Sequence, residues 1–169
     1  MLSADAVVHE IQSSAEVVSE LVARFGVGVA PSGKLDRQAL AEAAFADEDS
    51  RAWLEGLIWP RVGSRITEWS KGLGDVRPRP RLAVVEVPLL FESGMDAAFD
   101  TTICVTASEP LRRDRAEARG HAALDERAAR QLSPAEKEAR AEWTVTNDGS
   151  VSELEVELEA VVSGIEGMA

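Results

Sequence analysis

Two short apolar runs, 82–87 and 102–106, constrain this chain more than any other feature. Both are rich in β-branched residues and are nearly continuous rather than alternating. Runs of that character predict strands buried on both faces, as in a parallel sheet. Parallel neighbours need a crossover, and the segment between the runs is long enough for one with a short helix. The first run stops at Pro88, which cannot donate to a ladder. The loop that follows, Pro-Leu-Leu-Phe-Glu, therefore leaves the carboxyl end of a strand, and in open α/β sheets that edge is where ligands bind.

Most of the remaining chain reads as helix. Ser3 can cap a first helix through His9 and Ile11. Val17, Val18, Leu21, Val22 and Phe25 make a helical stripe over 15–25, closed by Gly26. Asp36 can cap a helix through Leu40 and Phe45, and Asp47 or Asp49 the next, with Trp53, Leu54, Leu57 and Ile58 facing inward. Pro60 is expected to break or restart that helix, while Val62, Ile66 and Trp69 carry an apolar face on to Gly72. Residues 74–80 are a polar, proline-containing link. Past the second strand, Ser108 and Pro110 start a helix through Arg119, ended by Gly120. A second helix covers roughly 124–132, and Ser133-Pro134 opens a third. A short strand over 143–146, a turn over 147–150 and an amphipathic helix over 151–165 close the chain. The alternation argues an α/β fold, three-layered or partly open, with parallel strands near 82–88, 102–106 and 143–146.

The length of 169 residues fits one domain and suffices to bury a core. Within it the pattern separates a helical region at 3–72, core strands at 81–106, an arginine-rich region at 108–140, and a last strand and helix at 143–166. The one cysteine, Cys104, lies in an apolar strand and reads as a core residue, consistent with a reducing compartment. No apolar run reaches the roughly 20 residues that span a bilayer, and the N-terminus lacks a signal pattern, so a cytoplasmic, membrane-free protein is expected. A net charge of −12 opposes non-specific nucleic-acid or anionic-membrane binding. Six arginines nevertheless gather between Arg112 and Arg130, either as a solvated helix laced with Glu and Asp or as a site for a small polyanion.

The stretch PLLFESGM followed by a strand resembles the dephospho-CoA kinase family, and so does the rest of the chain in order. SADAVVHEI resembles that family's DAD stretch. ARFG, LDRQALAEAAFAD and LEGLIWPRV follow as they do there. RRDRAEARGHAALDERAARQ resembles its lid, and EWTVTNDGSVSEL its last strand and helix. The resemblance implies a P-loop kinase-like fold and transfer of a phosphoryl group from ATP, with Mg²⁺, to the ribose 3′-hydroxyl of dephospho-CoA. It also implies a strand and GxxxxGK[ST] loop ahead of the point where this chain starts. The expectations are a truncated form with little activity alone and a sheet missing its central strand, with unpaired strand edges.

The same resemblance assigns roles. Asp5 matches the second Asp of DAD and is the candidate base or orienter of the acceptor hydroxyl, which requires reach to that proton. The bland reading of Asp5 is an acid favoured by a helix N-terminus. Ser3 stands where the family has the first Asp. Arg115, Arg119 and Arg127 match lid arginines, Arg115 and Arg119 for transition-state charge and Arg127 for substrate. Leu89, Leu90, Phe91 and Glu92 match a wall of the acceptor site, with plain loop packing as the alternative. Asn147 matches a residue near the nucleotide base, or else is a turn residue before Asp-Gly. Trp59 replaces the family's usual His before Pro. His9 and His121 read as surface residues, and no spacing suggests a metal site.

The segment 28–34 fits GxxxxGK, but Leu35 follows where a Mg²⁺ ligand should stand, helical spacing precedes it, and Pro31 removes an amide. It is read as a turn. The alternative to a kinase is a non-catalytic remnant that binds CoA-like ligands or a partner chain. An unrelated α/β nucleotide kinase would share the arginines but not PLLFE and LDR. Nothing in the sequence specifies an oligomeric state.

Overall fold

The computed structural model describes residues 1–118 and 131–168, in two compact units, Met1–Pro88 and Leu89–Ala169.

In the first unit, β1 (Leu2–Ser3) leads directly into α1 (Ala4–Ser13), α2 (Ala15–Phe25), a 3-10 turn (Val27–Val29), α3 (Arg37–Ala44), α4 (Glu48–Gly72), a second 3-10 turn (Leu73–Asp75) and β2 (Val85–Glu86). The helices form where the apolar spacing predicts them. Their buried faces are Val7 and Ile11, Val17 and Leu21, Leu40 and Ala44, and Leu57, Ile58 and Val62, the i, i+3/i+4 pattern of helices packed on one side. Caps set the boundaries. The Asp36 carboxylate accepts from the amides of Gln38 and Ala39, Asp47 accepts from Ser50, and Gly26 takes φ +87 after α2, a region costly for any side chain. Trp53 meets Phe25 edge to face at 5.5 Å.

Three expectations are corrected here. Ser3 precedes α1 but its side chain caps nothing; its hydroxyl is drawn to Glu86 instead. Pro60 lies inside α4 without ending it. An interior proline costs ~3 kcal/mol by removing an N–H and crowding the carbonyl four residues back. Burial of Leu57, Ile58 and Val62 on both sides of the proline outweighs that cost. Finally, the apolar run at 82–87 yields only Val85–Glu86 as strand, paired in parallel with a strand the sequence did not announce: Leu2 lies opposite Val85 and Ser3 opposite Glu86.

In the second unit, a turn over 89–95 and a 3-10 turn (Met95–Ala98) precede β3 (Ile103–Thr106), α5 (Glu109–Ala118), α6 (Pro134–Arg140), β4 (Trp143–Thr146) and α7 (Val151–Met168). β3 and β4 are parallel, from Ile103 opposite Trp143 to Thr106 opposite Thr146. α6 contacts β3, and α7 contacts β4. Ser133 and Glu136 form a capping box at α6, each bonding the other's backbone amide, and Ser150 and Glu153 do the same at α7. The ring of Trp143 lies against Gly164, where a β-carbon would come within 2.8 Å of it.

Burial of the strands on both faces is not what the structure has. Val145 is buried, but Val84 and Val105 are half exposed, at 50% and 53%. A strand's burial is set by the layers packed on it, and among the described residues each ladder has two strands. Arg119, Gly120 and most of the predicted helix at 124–132 lie outside the described residues.

Candidate active site

Parallel ladders present their carboxyl ends on one edge. In the first unit that edge carries Ser3 and Glu86, joined by a bond from Ser3 Oγ to Glu86 Oε2 of 2.9 Å. Because α1 begins at Ala4, Asp5 falls in its first turn, exposed, immediately beyond the end of β1. The positive end of the helix dipole favours the carboxylate there. One turn on, exposed His9 contacts the guanidinium of Arg37, the arginine of the LDR motif. Trp59 is partly buried in α4.

The same unit has a groove of about 510 Å³ lined by Glu10, Ile11, Glu16, Pro60, Arg61 and Arg65 among others. Its cations are already engaged: Arg61 with Glu20 at 2.7 Å and Arg65 with Glu10 at 2.7 Å. It offers no ready anion site.

In the second unit Leu89, Leu90 and Phe91 begin a turn wound on its own backbone. Ser93 N–H donates to Leu89 O at 3.0 Å, Met95 N–H to Leu90 O at 3.2 Å and Gly94 N–H to Phe91 O at 3.3 Å. Gly94 holds φ +68. Leu89, Leu90 and Phe91 are each partly exposed. The Glu92 side chain is only 14% exposed. Its Oε1 accepts from Lys137 Nζ of α6 at 2.9 Å and from the Leu132 amide at 3.1 Å. Burial pushes this carboxyl's pKa up, but the Lys137 bond, the residue's own amide and the Leu132 amide together bring it below the usual range. Oε2 is buried with no hydrogen-bond partner among the described residues.

At the carboxyl ends of β3 and β4 two of the expected residues meet. Arg115 Nη1 donates to the backbone carbonyl of Asn147 at 2.8 Å. Asn147 N–H donates to Thr106 O at 2.7 Å, and Asp148 Oδ1 accepts from the Ser108 amide at 2.6 Å. The loops leaving the two strands are thereby tied together, with Arg115 as one of the ties. Arg119 and Arg127 lie outside the described residues.

The GxxxxGK look-alike at 28–34 runs from the 3-10 turn after α2 through a turn with Gly33 at φ +74. It joins helices, not a strand to a helix. Among the described residues no group of His, Cys, Asp and Glu could hold a metal ion. Burial pushes the pKa of the lone thiol, Cys104, up, away from nucleophilic use.

Spacing alone did not single out Lys137 or Glu86. The only available signal for Lys137 was indirect: an acid following three apolar residues in a packed turn needs a cation from elsewhere in the chain.

Comparison with known proteins adds to this geometry. The family model described as dephospho-CoA kinase matches residues 1–153. The dephospho-CoA kinase of Symbiobacterium thermophilum is 38% identical over 166 residues, covering 95% of this chain and 68% of that protein. That of Deinococcus radiodurans is 36% identical over 169 residues, covering 98% and 80%. Among solved structures, TT1252 from Thermus thermophilus superposes with TM-score 0.78 at 33% identity, covering 96% of this chain and 83% of that one. The Campylobacter jejuni dephospho-CoA kinase gives 0.67 at 25%, covering 98% and 84%.

Proposed function

Because the chain belongs to the dephospho-CoA kinase family, we propose that its described residues form the acceptor side of that kinase reaction. Its fold is the mixed α/β, P-loop kinase-like fold with parallel strands. The reaction is transfer of a phosphoryl group from ATP to the ribose 3′-hydroxyl of dephospho-CoA, giving coenzyme A. What carries the assignment is the placement of Asp5: an exposed carboxylate in the first turn of a helix, just past the carboxyl end of a parallel strand. That is where α/β folds receive ligands. Asp5 would accept or orient the proton of the attacking hydroxyl, directly or through one water.

Leu89, Leu90 and Phe91 would line the acceptor, offering apolar surface at the start of a rigid turn. Arg115 and Asn147 would stand on the nucleotide side. With Nη1 committed to the Asn147 carbonyl, Arg115 would orient that loop as well as contribute positive charge. Arg119 and Arg127 would supply further cations for phosphate.

ATP is the donor in this family, and Mg²⁺ typically accompanies it. The described residues do not form a triphosphate cradle: the look-alike at 28–34 has the wrong setting, and no described group could hold a metal ion. The chemistry they carry is binding and orienting the acceptor.

The test is calorimetric titration of dephospho-CoA into the purified chain and its Asp5→Asn variant. Saturable binding by the parent is expected, with binding to Asp5→Asn weakened by about tenfold through loss of a charged hydrogen-bond acceptor. Absence of binding by the parent, or equal binding by the two, would overturn the assignment.

A further inference from the structure

We propose that Glu92 and Lys137 are positioning residues for the acceptor site: their ion pair fixes the turn that presents Leu89, Leu90 and Phe91. This rests on the reading of that turn as an acceptor wall.

The turn is closed by bonds among its own residues, including Ser93 Oγ to Leu90 O at 3.0 Å. Such a turn keeps its shape but can move as a body. Glu92 ties it to the rest of the unit, since one carboxylate oxygen holds both Lys137 of α6 and the Leu132 amide. The side chains of the pair are 14% and 21% exposed, so Glu92 presents little surface to a ligand. Charge-assisted bonds of this kind are short and demanding in direction, so Lys137 and the Leu132 amide together dictate where the Glu92 backbone lies. Three residues whose side chains would line the acceptor immediately precede it.

Removing one member has a defined consequence. Without Lys137, Glu92 is a largely covered carboxylate without its cation; without Glu92, Lys137 is a partly covered ammonium without its anion. Either charge must regain water, and the shortest route for Glu92 is outward movement of the turn. The acceptor surface is thus distorted by a residue that never touches the ligand.

The test is a double-mutant cycle on dephospho-CoA affinity with Glu92→Leu, Lys137→Met and both together, followed in parallel by thermal unfolding and by hydrogen exchange at the Leu132 amide. Each single variant is expected to bind about tenfold more weakly. The double variant should be no weaker than Glu92→Leu alone, because both changes break one shared interaction. Faster exchange at Leu132 should accompany Glu92→Leu. Lys137→Arg, which keeps the cation, should recover most of what Lys137→Met loses. Glu92→Gln, which keeps the acceptor for Leu132 but not the charge, should give a smaller loss in the same direction and serves should the leucine variant not fold. Loss with Glu92→Leu but none with Lys137→Met would mean that Glu92 meets the ligand itself, overturning the proposal. Lower melting temperatures with unchanged affinity would overturn it too, leaving the pair a stability element only. A parent chain that fails to bind dephospho-CoA takes down the acceptor-site reading first, and this proposal with it.

Discussion

Glu92 keeps its charge against the cost of burial because Lys137 and two backbone amides bond its carboxylate. Its pKa in the folded chain is below the unfolded value of about 4.3, so its ionisation stabilises the fold above that pH. The contribution is lost as pH falls through the depressed folded value. Glu92→Gln should therefore cost about 1–3 kcal/mol at neutral pH, and the gap from the parent should close in the acid range below pH ~4. Urea titrations at a series of pH values check this; a gap independent of pH would contradict it. At this scale the sequence was legible where a residue acts on its neighbours. Asp36 and Asp47 cap as their positions imply. It was silent where the partner is distant or is backbone: nothing in the spacing of Arg115 announces the carbonyl of Asn147, and nothing near Glu92 names Lys137.

Among the elements, helices were the more readable. Their signal is local, a stripe every three or four residues plus a cap, and it placed Ala15–Phe25 and the Asp36-capped helix closely. The strands were located but misjudged, because a strand's length and burial depend on partners far away in sequence. Among the described residues the run at 82–87 pairs with Leu2 and Ser3, and Val85 and Glu86 are its ladder residues. Pro60 misled for a related reason: the local rule against an interior proline was overridden by the core on both sides of it. Two glycines within helices now separate in their expected behaviour. Gly56 in α4 has open space where a β-carbon would stand, so Gly56→Ala should stabilise by about 0.5–1 kcal/mol through backbone entropy. At Gly164 a β-carbon would strike Trp143. There the overpacking cost of ~1–3 kcal/mol outweighs the helix gain, and Gly164→Ala should destabilise. Urea midpoints of the two variants should move in opposite directions.

For the molecule as a whole, alternation of strand and helix correctly pointed to an α/β fold, and the ordered motifs pointed to the family that the comparisons bear out. Its division into two compact units was not foreseen, since that depends on tertiary contacts rather than on composition. Its acidic surface, with a net charge of −12, leaves an anionic substrate dependent on local cations. The contact between Trp143 and Gly164 also has a photophysical use. The chain contains no tyrosine and four tryptophans, and Trp143 is the only one of them in the second unit. Phenylalanine at positions 53, 59 and 69 would leave the emission spectrum to a single indole whose edge rests on α7. In that background, Gly164→Ala should shift the native emission maximum to longer wavelength as the ring is pushed towards water, reporting the seating of the last helix on its strand from light alone.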